Sequence, residues 1–453
     1  TRPEETDGMN SNFISTDIPV NLYSSWNRNG IYDFFFTHGY NFGFYREKLA
    51  ADSSGVVKDS TENEFVRVAR ITHVADVKYH EHEFINHQQV PNYYADNYLP
   101  YDSTDLTTSL KVKNRVSFSL CEGFHRYAFA DITAFIEHKY DRYALPDTTP
   151  DGKEFKKNYN EQILSVGGSI SSMNGKHLKY NINGEASLIG EEFGAFSIDG
   201  EIIFDFKLWK RGMQLKAKAF IKNNRPSFYY RHYHSEHFWW DNDLNKEFKT
   251  RIEGYFEIPS WGTRLSAGFE NIKNYTYIAN ESQPSGAVDK YLWRLKVRQE
   301  HANVQVFSAT LKQDFKLGIF NLNTEVTYQH SSNKDILPLP MINAYANAFI
   351  KFRIAKVLHT EIGADARYFT KYYAPDYSPA LGQYVQQNQA NKIAIGNYPL
   401  ASVYANFLLK QARFYVKYYH LNEGLGNREY FLAPHYPMSP AVLCLGVSWN
   451  FYN

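Results

Sequence analysis

The feature that most constrains this chain is a two-residue hydrophobic period that recurs through most of its length. The last stretch, Pro440 to Asn453, shows it clearly, because alternate residues form one apolar row that ends in aromatic rings. Side chains of an extended chain point alternately to opposite sides, so this period predicts β-strands. Aromatic rings at the end of such a row suit a membrane–water boundary. The residues that we predict to face the membrane are Leu443, Leu445, Val447, Trp449 and Phe451.

Repetition of the pattern decides between a soluble and a membrane protein. Taken alone, the last stretch would better fit the final strand of a soluble domain. However, segments 346–354, 213–222 and 128–139 also place apolar residues on one face and several charged residues or amides on the other. Such a polar face cannot be buried in a dry core, because unpaired buried charges are too costly. We therefore expect one face to line water and the other to contact lipid or a large apolar core.

The lengths of the connections predict the topology. Short turns near 411, 355, 319, 260, 210, 174 and 124 alternate with long polar loops at 422–440, 374–400, 331–342, 275–302, 223–248, 144–160 and 84–107, with a short exception near 190–194. Outer-membrane barrels combine short periplasmic turns with long extracellular loops. The sequence therefore predicts an all-β fold, a large antiparallel transmembrane β-barrel of about 16–22 strands.

Composition excludes other classes of protein. The 453 residues include 49 Lys and Arg against 48 Asp and Glu, and this balance argues against nucleic acid as a partner. Aromatic residues make up 17% of a chain whose mean hydropathy is -0.51. This combination fits amphipathic strands with interfacial aromatic girdles. A disulfide between Cys121 and Cys444 cannot be argued from their spacing alone, and we expect two small packing residues.

The start of the chain predicts a separate segment. Residues 1–30 contain Pro3, Pro19 and the run N-R-N-G, which predict a loop-like segment, with the barrel over 31–453. We count about 17 strands, whereas bacterial single-chain barrels normally have an even number. An odd number would bring the first and last strands together in parallel. We therefore expect one or more N-terminal strands to be missing from this chain, although the connection at 50–65 fits this scheme poorly.

The polar face is the main functional candidate. Charged rings set the ion preference of a pore, and the near balance of acids and bases predicts weak ion selectivity. Two alternatives stay open: the charges pair and hold the wall together, or the lumen is narrowed or plugged. The predicted pore-lining residues are Lys111, Lys113, Arg115, Asp131, Glu137, Lys139, Asp199, Glu201, Lys216, Lys218, Lys222, Arg251, Glu253, Glu257, Lys351, Arg353, Glu361, Asp365, Arg367 and Lys371.

Two runs contain metal-binding residue types, but we predict no metal and no cofactor. The run H-Y-H-S-E-H at 232–237 matches no recognised ligand spacing, and we expect its residues to pack with the neighbouring aromatic rings. The residues that alternate like the start of a calcium loop are Asp241, Asp243, Asn245 and Glu247. Lys246 stands where the sharp turn needs glycine, and calcium binding stays open.

Catalytic motifs are not recognisable. Gly167–Ser171 lacks the second glycine of a nucleophile elbow, and its alternating neighbours place it on a strand. Segment 168–176 has the wrong spacing for a phosphate-binding loop. We therefore predict that the protein is not an enzyme.

Several stretches resemble the putative porin family of Bacteroidota outer membranes. They include H-Y-H-S-E-H-F-W-W-D-N-D (232–243), R-Y-F-T-K-Y-Y-A-P-D-Y-S-P (367–379) and Y-F-L-A-P-H-Y-P-M-S-P (430–440). The resemblance covers nearly the whole chain and implies an outer-membrane β-barrel that acts as a diffusion pore. It supplies no motif-defined catalytic residues. Asn453 departs from the pattern, which ends in an aromatic residue.

These observations predict a porin in the outer membrane of a Gram-negative bacterium. It would let small hydrophilic solutes diffuse passively and would contact outer-membrane lipid and lipopolysaccharide. The alternative is a plugged structural or accessory barrel of a secretion, uptake or assembly complex, which loops 374–400 and 422–440 would favour if they fold inward. Protein partners and a homo-oligomer stay open.

Overall fold

The computed structural model describes residues 22, 24–51, 57–87, 93–100, 104–281, 292–425 and 430–451. Its strands, in chain order, are β1 (Ser25–Ala51), β2 (Val57–Asn86), β3 (Asp105–Leu120), β4 (Asp131–Thr148), β5 (Glu154–Ser172), β6 (Leu178–Gly190), β7 (Phe196–Leu208), β8 (Arg211–Asn224), β9 (His232–His234), β10 (Trp239–Asp241), β11 (Glu247–Ile258), β12 (Thr263–Lys273), β13 (Tyr275–Asn280), β14 (Leu295–Glu300), β15 (Val304–Leu317), β16 (Phe320–Ser331), β17 (Ile342–Ile354), β18 (Leu358–Phe369), β19 (Asp376–Ser378), β20 (Gln383–Val385), β21 (Leu400–Leu409), β22 (Ala412–Tyr419), β23 (Phe431–Ala433), β24 (Tyr436–Pro437) and β25 (Val442–Trp449). A short helix, α1 (Phe228–Arg231), precedes β9. No helix in these described ranges is long and apolar enough to cross a membrane.

Seventeen of the strands form one antiparallel sheet, and each of them pairs with the next large strand along the chain. The sheet comprises β1–β8, β11, β12, β15–β18, β21, β22 and β25, and the remaining strands form two-stranded hairpins in the long loops. The predicted all-β fold, antiparallel pairing and strand number are confirmed. Strands β1 and β25 are the sheet edges, and no ladder joins them among the described residues. Because seventeen is odd, these two edge strands run in the same direction.

Strand ends differ from the prediction in two places. The predicted loop at 144–160 is wrong, because β4 runs to Thr148 and β5 begins at Glu154. Polar residues there form a regular ladder, with Tyr143 opposite Tyr159, although their pattern lacks the apolar period that identifies a half-buried strand.

The first hairpin is also longer than expected. Strand β1 begins at Ser25 rather than at residue 31, and it contains 27 residues. Such a strand is about 90 Å long and contains more than twice the roughly 9–11 residues that a strand needs to cross a bilayer. Because β1 ends at Ala51 and β2 begins at Val57, the predicted connection at 50–65 is shorter than expected. Residues 52–56 lie outside the described residues, as do residues 1–21 and 23 of the predicted N-terminal segment.

One polar face continues across the whole sheet. Directly opposed residues of a ladder share a face, and the registers connect Arg115 to Glu137, Glu201 to Lys218, and Lys351 to Glu361. The same registers place every predicted pore-lining residue on this polar face except Lys371, which follows the end of β18. The opposite face exposes apolar residues, and the predicted membrane-facing residues Leu443 to Phe451 are exposed there.

The polar face is the concave face of the sheet. Arg115 on β3 contacts Glu185 on β6 at 3.2 Å, although two strands separate them. Lys417 on β22 contacts Asp365 on β18 at 2.8 Å across one intervening strand. Neighbouring strands lie about 4.8 Å apart, so β3 and β6 would be about 14 Å apart on a flat sheet, and curvature toward the polar face brings Arg115 and Glu185 together.

Two adjacent isoleucines test which face meets lipid. Ile202 lies on the apolar face of β7, and Ile203 lies on the polar face opposite Lys179 and Lys216. We expect Ile202→Arg to destabilise the protein in a bilayer by about 2–4 kcal/mol, because Ile202 is central in its strand. Ile203→Arg should cost less, since an arginine on the polar face stays hydrated, although it stands opposite Lys179 and Lys216. Urea unfolding of both variants in phospholipid vesicles measures the difference, and equal losses would contradict this assignment of the faces.

Candidate functional site

A network of four charges lies on the polar face across strands β3, β4 and β6. Arg115 Nε contacts Glu137 Oε2 at 2.5 Å, and Lys139 contacts both Glu137 at 3.1 Å and Glu185 at 3.5 Å. The Glu137 side chain is only 1% exposed, so its charge depends on these partners. The Arg115 guanidinium also lies 3.9 Å above the ring of Phe135. Two positive and two negative groups make this network formally neutral.

Pairing extends to most of the other predicted wall residues. Ion pairs join Lys113 to Asp76, Lys216 and Lys218 to Glu201, Arg251 to Glu253 and Glu270, Glu257 to Arg264, Lys351 to Glu361, and Asp365 to Lys417. Hydrogen bonds to Asp199 and Asp131 come from the Asn183 side chain and the Glu122 backbone. Cations lie over aromatic rings where Lys111 meets Tyr143, Lys222 meets Phe220 and Arg367 meets Tyr345. Arg353 stands opposite His359, and the Lys371 backbone donates to Asn397 in a loop. The wall is therefore polar but largely self-neutralised.

The long loops fold together into an apolar cluster at the end of the sheet opposite the short turns. We call this cluster the loop core, and its buried residues are Phe84, Tyr233, Phe238, Trp240, Ile278, Trp293, Leu295, Val297, Ala380, Leu381 and Val385. Backbone hydrogen bonds join the contributing loops, from Trp293 to the Tyr93 carbonyl at 2.8 Å and from Gln386 to the Ile278 carbonyl at 2.7 Å. These separate segments therefore form one packed unit.

Two contacts attach the loop core to the polar face. Arg231, at the end of α1, makes a two-pronged ion pair with Glu161 on β5, at 2.7 and 3.1 Å, and both side chains are buried. Phe228 of the same helix stacks on Tyr143 of β4, with ring centres 3.7 Å apart. These contacts place the helix against the concave wall, so this loop folds inward.

The histidine-rich run lies within this loop. Strands β9 and β10 pair, and both His232 and His234 hydrogen-bond to Asp241, at 2.6 and 3.1 Å. Trp239 stacks on the buried His234 ring at 3.8 Å. The described part of the chain contains no group of three or more His, Cys, Asp or Glu residues that could hold a metal. Glu247, from the calcium-like run, accepts a hydrogen bond from the Thr276 backbone at 2.6 Å.

Sequence reasoning missed a cavity of about 330 Å³ between the loop core and the polar face. Its lining residues come from separate parts of the chain: Asn27, Asn29, His80, His82, Thr107, Ser227, Tyr229, Tyr230, Tyr233, Trp240, Ile278, Tyr377, Leu381, Gly382, Gln383 and Tyr384. Two hydrogen bonds define one side, from Asn27 Nδ2 to the Pro379 carbonyl at 2.8 Å and between His82 Nε2 and Asn27 Oδ1 at 2.9 Å. Aromatic enrichment of the loops is the only sequence signal that points to this site.

Comparison with known proteins gives one family and a set of similar barrels. A family model described as "Putative porin" matches residues 1–453, the whole chain. No curated protein sequence matches the chain. A mutant ferric enterobactin receptor from Pseudomonas aeruginosa is 12% identical at a TM-score of 0.54, over 79% of this chain and 57% of the receptor.

Two further outer-membrane barrels are similar in structure at equally low sequence identity. The siderophore receptor PirA from Acinetobacter baumannii is 9% identical at a TM-score of 0.55, over 85% of this chain and 63% of the receptor. The copper transporter OprC is 9% identical at a TM-score of 0.54, over 83% of this chain and 63% of the transporter. The chain thus spans less than two thirds of each of these three proteins. At this identity, the likeness shows the fold alone.

The buried ion pair between Arg231 and Glu161 can be tested against an exposed one. Arg231→Met leaves the Glu161 carboxylate buried without its partner, and we expect a loss of about 3–5 kcal/mol in the stability of the loop core. The control is Arg225→Met, which removes the pair with the half-exposed Glu191 and should cost at most about 1 kcal/mol. Hydrogen exchange of α1 and urea unfolding measure the loss of stability in both variants. Similar effects of the two substitutions would contradict anchoring by Arg231.

The packing of the loops should depend on pH through His237. Its ring stacks on Tyr94 at 3.7 Å, and burial lowers the pKa of His237 to about 4, although the Asp96 carbonyl opposes this shift. An opened loop has a histidine of ordinary pKa, about 6.5, and binds the proton more readily. The contribution of His237 to the packed state is therefore largest above about pH 6.5 and is lost as the pH falls toward 4.

Hydrogen exchange measures this dependence at the Ala95 and Trp293 amides, which join two loops. We expect the protonation of His237 to raise the opening equilibrium by on the order of 100-fold between about pH 7 and pH 4.5. His237→Gln should remove most of the rise. An unchanged pH profile in that variant would show that other groups control the packing.

Proposed function

Because the chain belongs to the putative porin family, we propose that it lets small hydrophilic solutes diffuse passively across the outer membrane of a Gram-negative bacterium. The observation that carries this proposal is the continuous polar face on the concave side of the seventeen-stranded sheet. Groups that need hydration line this side, whereas the opposite side exposes an apolar surface suited to lipid. Solutes would therefore pass along the concave face.

Weak ion selectivity follows from the paired wall. Selectivity by charged rings requires a net field along the passage. Here the four-charge network around Arg115 is neutral, and Lys216 and Lys218 share Glu201. Paired charges attract and repel mobile ions less than isolated ones do. The proposed mechanism is therefore size exclusion, with only a small preference between cations and anions.

The loop core favours a second candidate function. Buried apolar residues from several loops lie against the polar face at one end of the sheet, where they reduce the space left for solutes. A barrel closed by such loops would act as a structural or accessory subunit of an outer-membrane complex. The two candidates differ in whether a continuous aqueous passage remains beside the loop core.

Electrical recording from the folded, full-length protein in a planar bilayer separates the two candidates. We expect nanosiemens conductance steps and a reversal potential near zero under a salt gradient. Lys351→Glu together with Arg353→Glu should shift that potential toward cation preference, because both positions lie on the polar face of β17. The control is Lys356→Glu, in the turn between β17 and β18, which should shift it less. Absence of steps would contradict the porin and favour the closed barrel.

A further inference from the structure

The cavity beside the loop core has a lining without formal charge. We propose that it binds a neutral saccharide of one or two rings, an inference that rests on the proposed porin function and names a class of solute for it. None of the lining residues is Asp, Glu, Lys or Arg. An ionic ligand would lose its hydration there without gaining an opposite charge, which is unfavourable.

Two charged residues that adjoin lining residues in the sequence are paired with other residues. Asp376 precedes the lining residue Tyr377, and its carboxylate contacts His435 at 2.9 Å. Arg28 lies between the lining residues Asn27 and Asn29, and it pairs with Glu83 on the neighbouring strand. These charges are therefore satisfied outside the cavity. The absence of acidic and basic residues from the lining disfavours a phosphate ester or a carboxylate as the ligand. His80 and His82 belong to no group of three or more metal-binding side chains in the described part of the chain, which disfavours a metal ion.

Aromatic rings supply the apolar part of the site. Trp240 and Tyr233 stack with ring centres 5.1 Å apart, and the indole Nε1 of Trp240 donates to the Tyr229 carbonyl at 3.0 Å. These contacts hold the rings in place. On the opposite side, the ring of Tyr384 is 63% exposed and contacts Tyr377 edge to face. The C–H face of a sugar ring is apolar and packs well on aromatic surfaces of this kind.

Neutral polar groups supply the rest of the lining. The amides of Asn29 and Gln383 and the hydroxyl of Ser227 can both donate and accept hydrogen bonds, whereas Asn27 and Thr107 already bond to protein groups. A purely apolar ligand would cover these groups without satisfying them, at a cost for each one. Sugar hydroxyls, which point outward around the ring edge, satisfy them while the ring face meets the tyrosines. This mixture favours a polyhydroxylated ligand over a hydrocarbon.

The size of the cavity sets the size of the ligand. Its volume of about 330 Å³ lies at the low end of the range for small-molecule sites. That space suits one or two sugar rings and excludes a longer chain held entirely inside. Gln383 and Tyr384 are exposed, so the site is open to solvent at the loop hairpin of β19 and β20. Its other side is the polar face, along which solutes would pass.

Calorimetric titration of the folded, full-length protein in detergent tests the proposal. The probes are neutral disaccharides (maltose, lactose, xylobiose and diacetylchitobiose) and sodium glucuronate, which carries a carboxylate on a sugar ring. We expect saturable binding of at least one disaccharide and at least tenfold weaker binding of glucuronate. No binding by any disaccharide, or tighter binding of glucuronate, would overturn the site.

Two tyrosines of one loop provide matched variants. Tyr384→Ala should weaken disaccharide binding at least tenfold, whereas Tyr373→Ala, which removes a 50% exposed ring outside the cavity, should leave it unchanged. Equal losses in both variants would overturn the assignment to this cavity. Conductance recorded on the same samples separates this inference from the proposed function. Conductance without binding overturns the site alone, and binding without conductance overturns the porin alone.

Discussion

Ion pairing between nearby strands is the interaction on which the concave face depends. Glu137 is almost completely buried, so its charge would be costly without the contacts to Arg115 and Lys139. Pairing lets the wall remain polar while its opposite charges largely cancel. The two-residue period keeps charges away from the opposite face, where apolar residues such as Ile202 are exposed. The sheet can therefore contact water on one side and lipid on the other.

The loops depend on a related balance between apolar packing and one buried ion pair. The loop core buries aromatic and aliphatic residues, and the contact of Arg231 with Glu161 fixes it to the wall. This packing narrows the concave side and also forms the neutral cavity. A diffusion pore and a closed accessory barrel thus differ in how much space the loop core leaves. The saccharide site uses the aromatic surface that this packing creates.

Much of the fold was predictable from the sequence, because a strand that separates water from lipid must alternate. Lys351 and Arg353, or Leu443 and Leu445, could be assigned to faces from the period alone. The boundary at Thr148 could not, since both faces of a hairpin that stands in water can be polar. The pairing of Arg115 with Glu185 was also hidden, because it requires the curvature of the sheet.

By itself, the sequence determined the all-β class, the antiparallel order and which residues share the polar face, because these follow from local periodicity and short turns. Only the tertiary structure decided which charges neutralise one another and that Asn27, Tyr233 and Tyr384 line one cavity. These residues are far apart in the chain, and no local sequence pattern indicates that they lie close together in space. Their meeting depends on the loops folding back onto the concave wall, which is a property of the packed molecule.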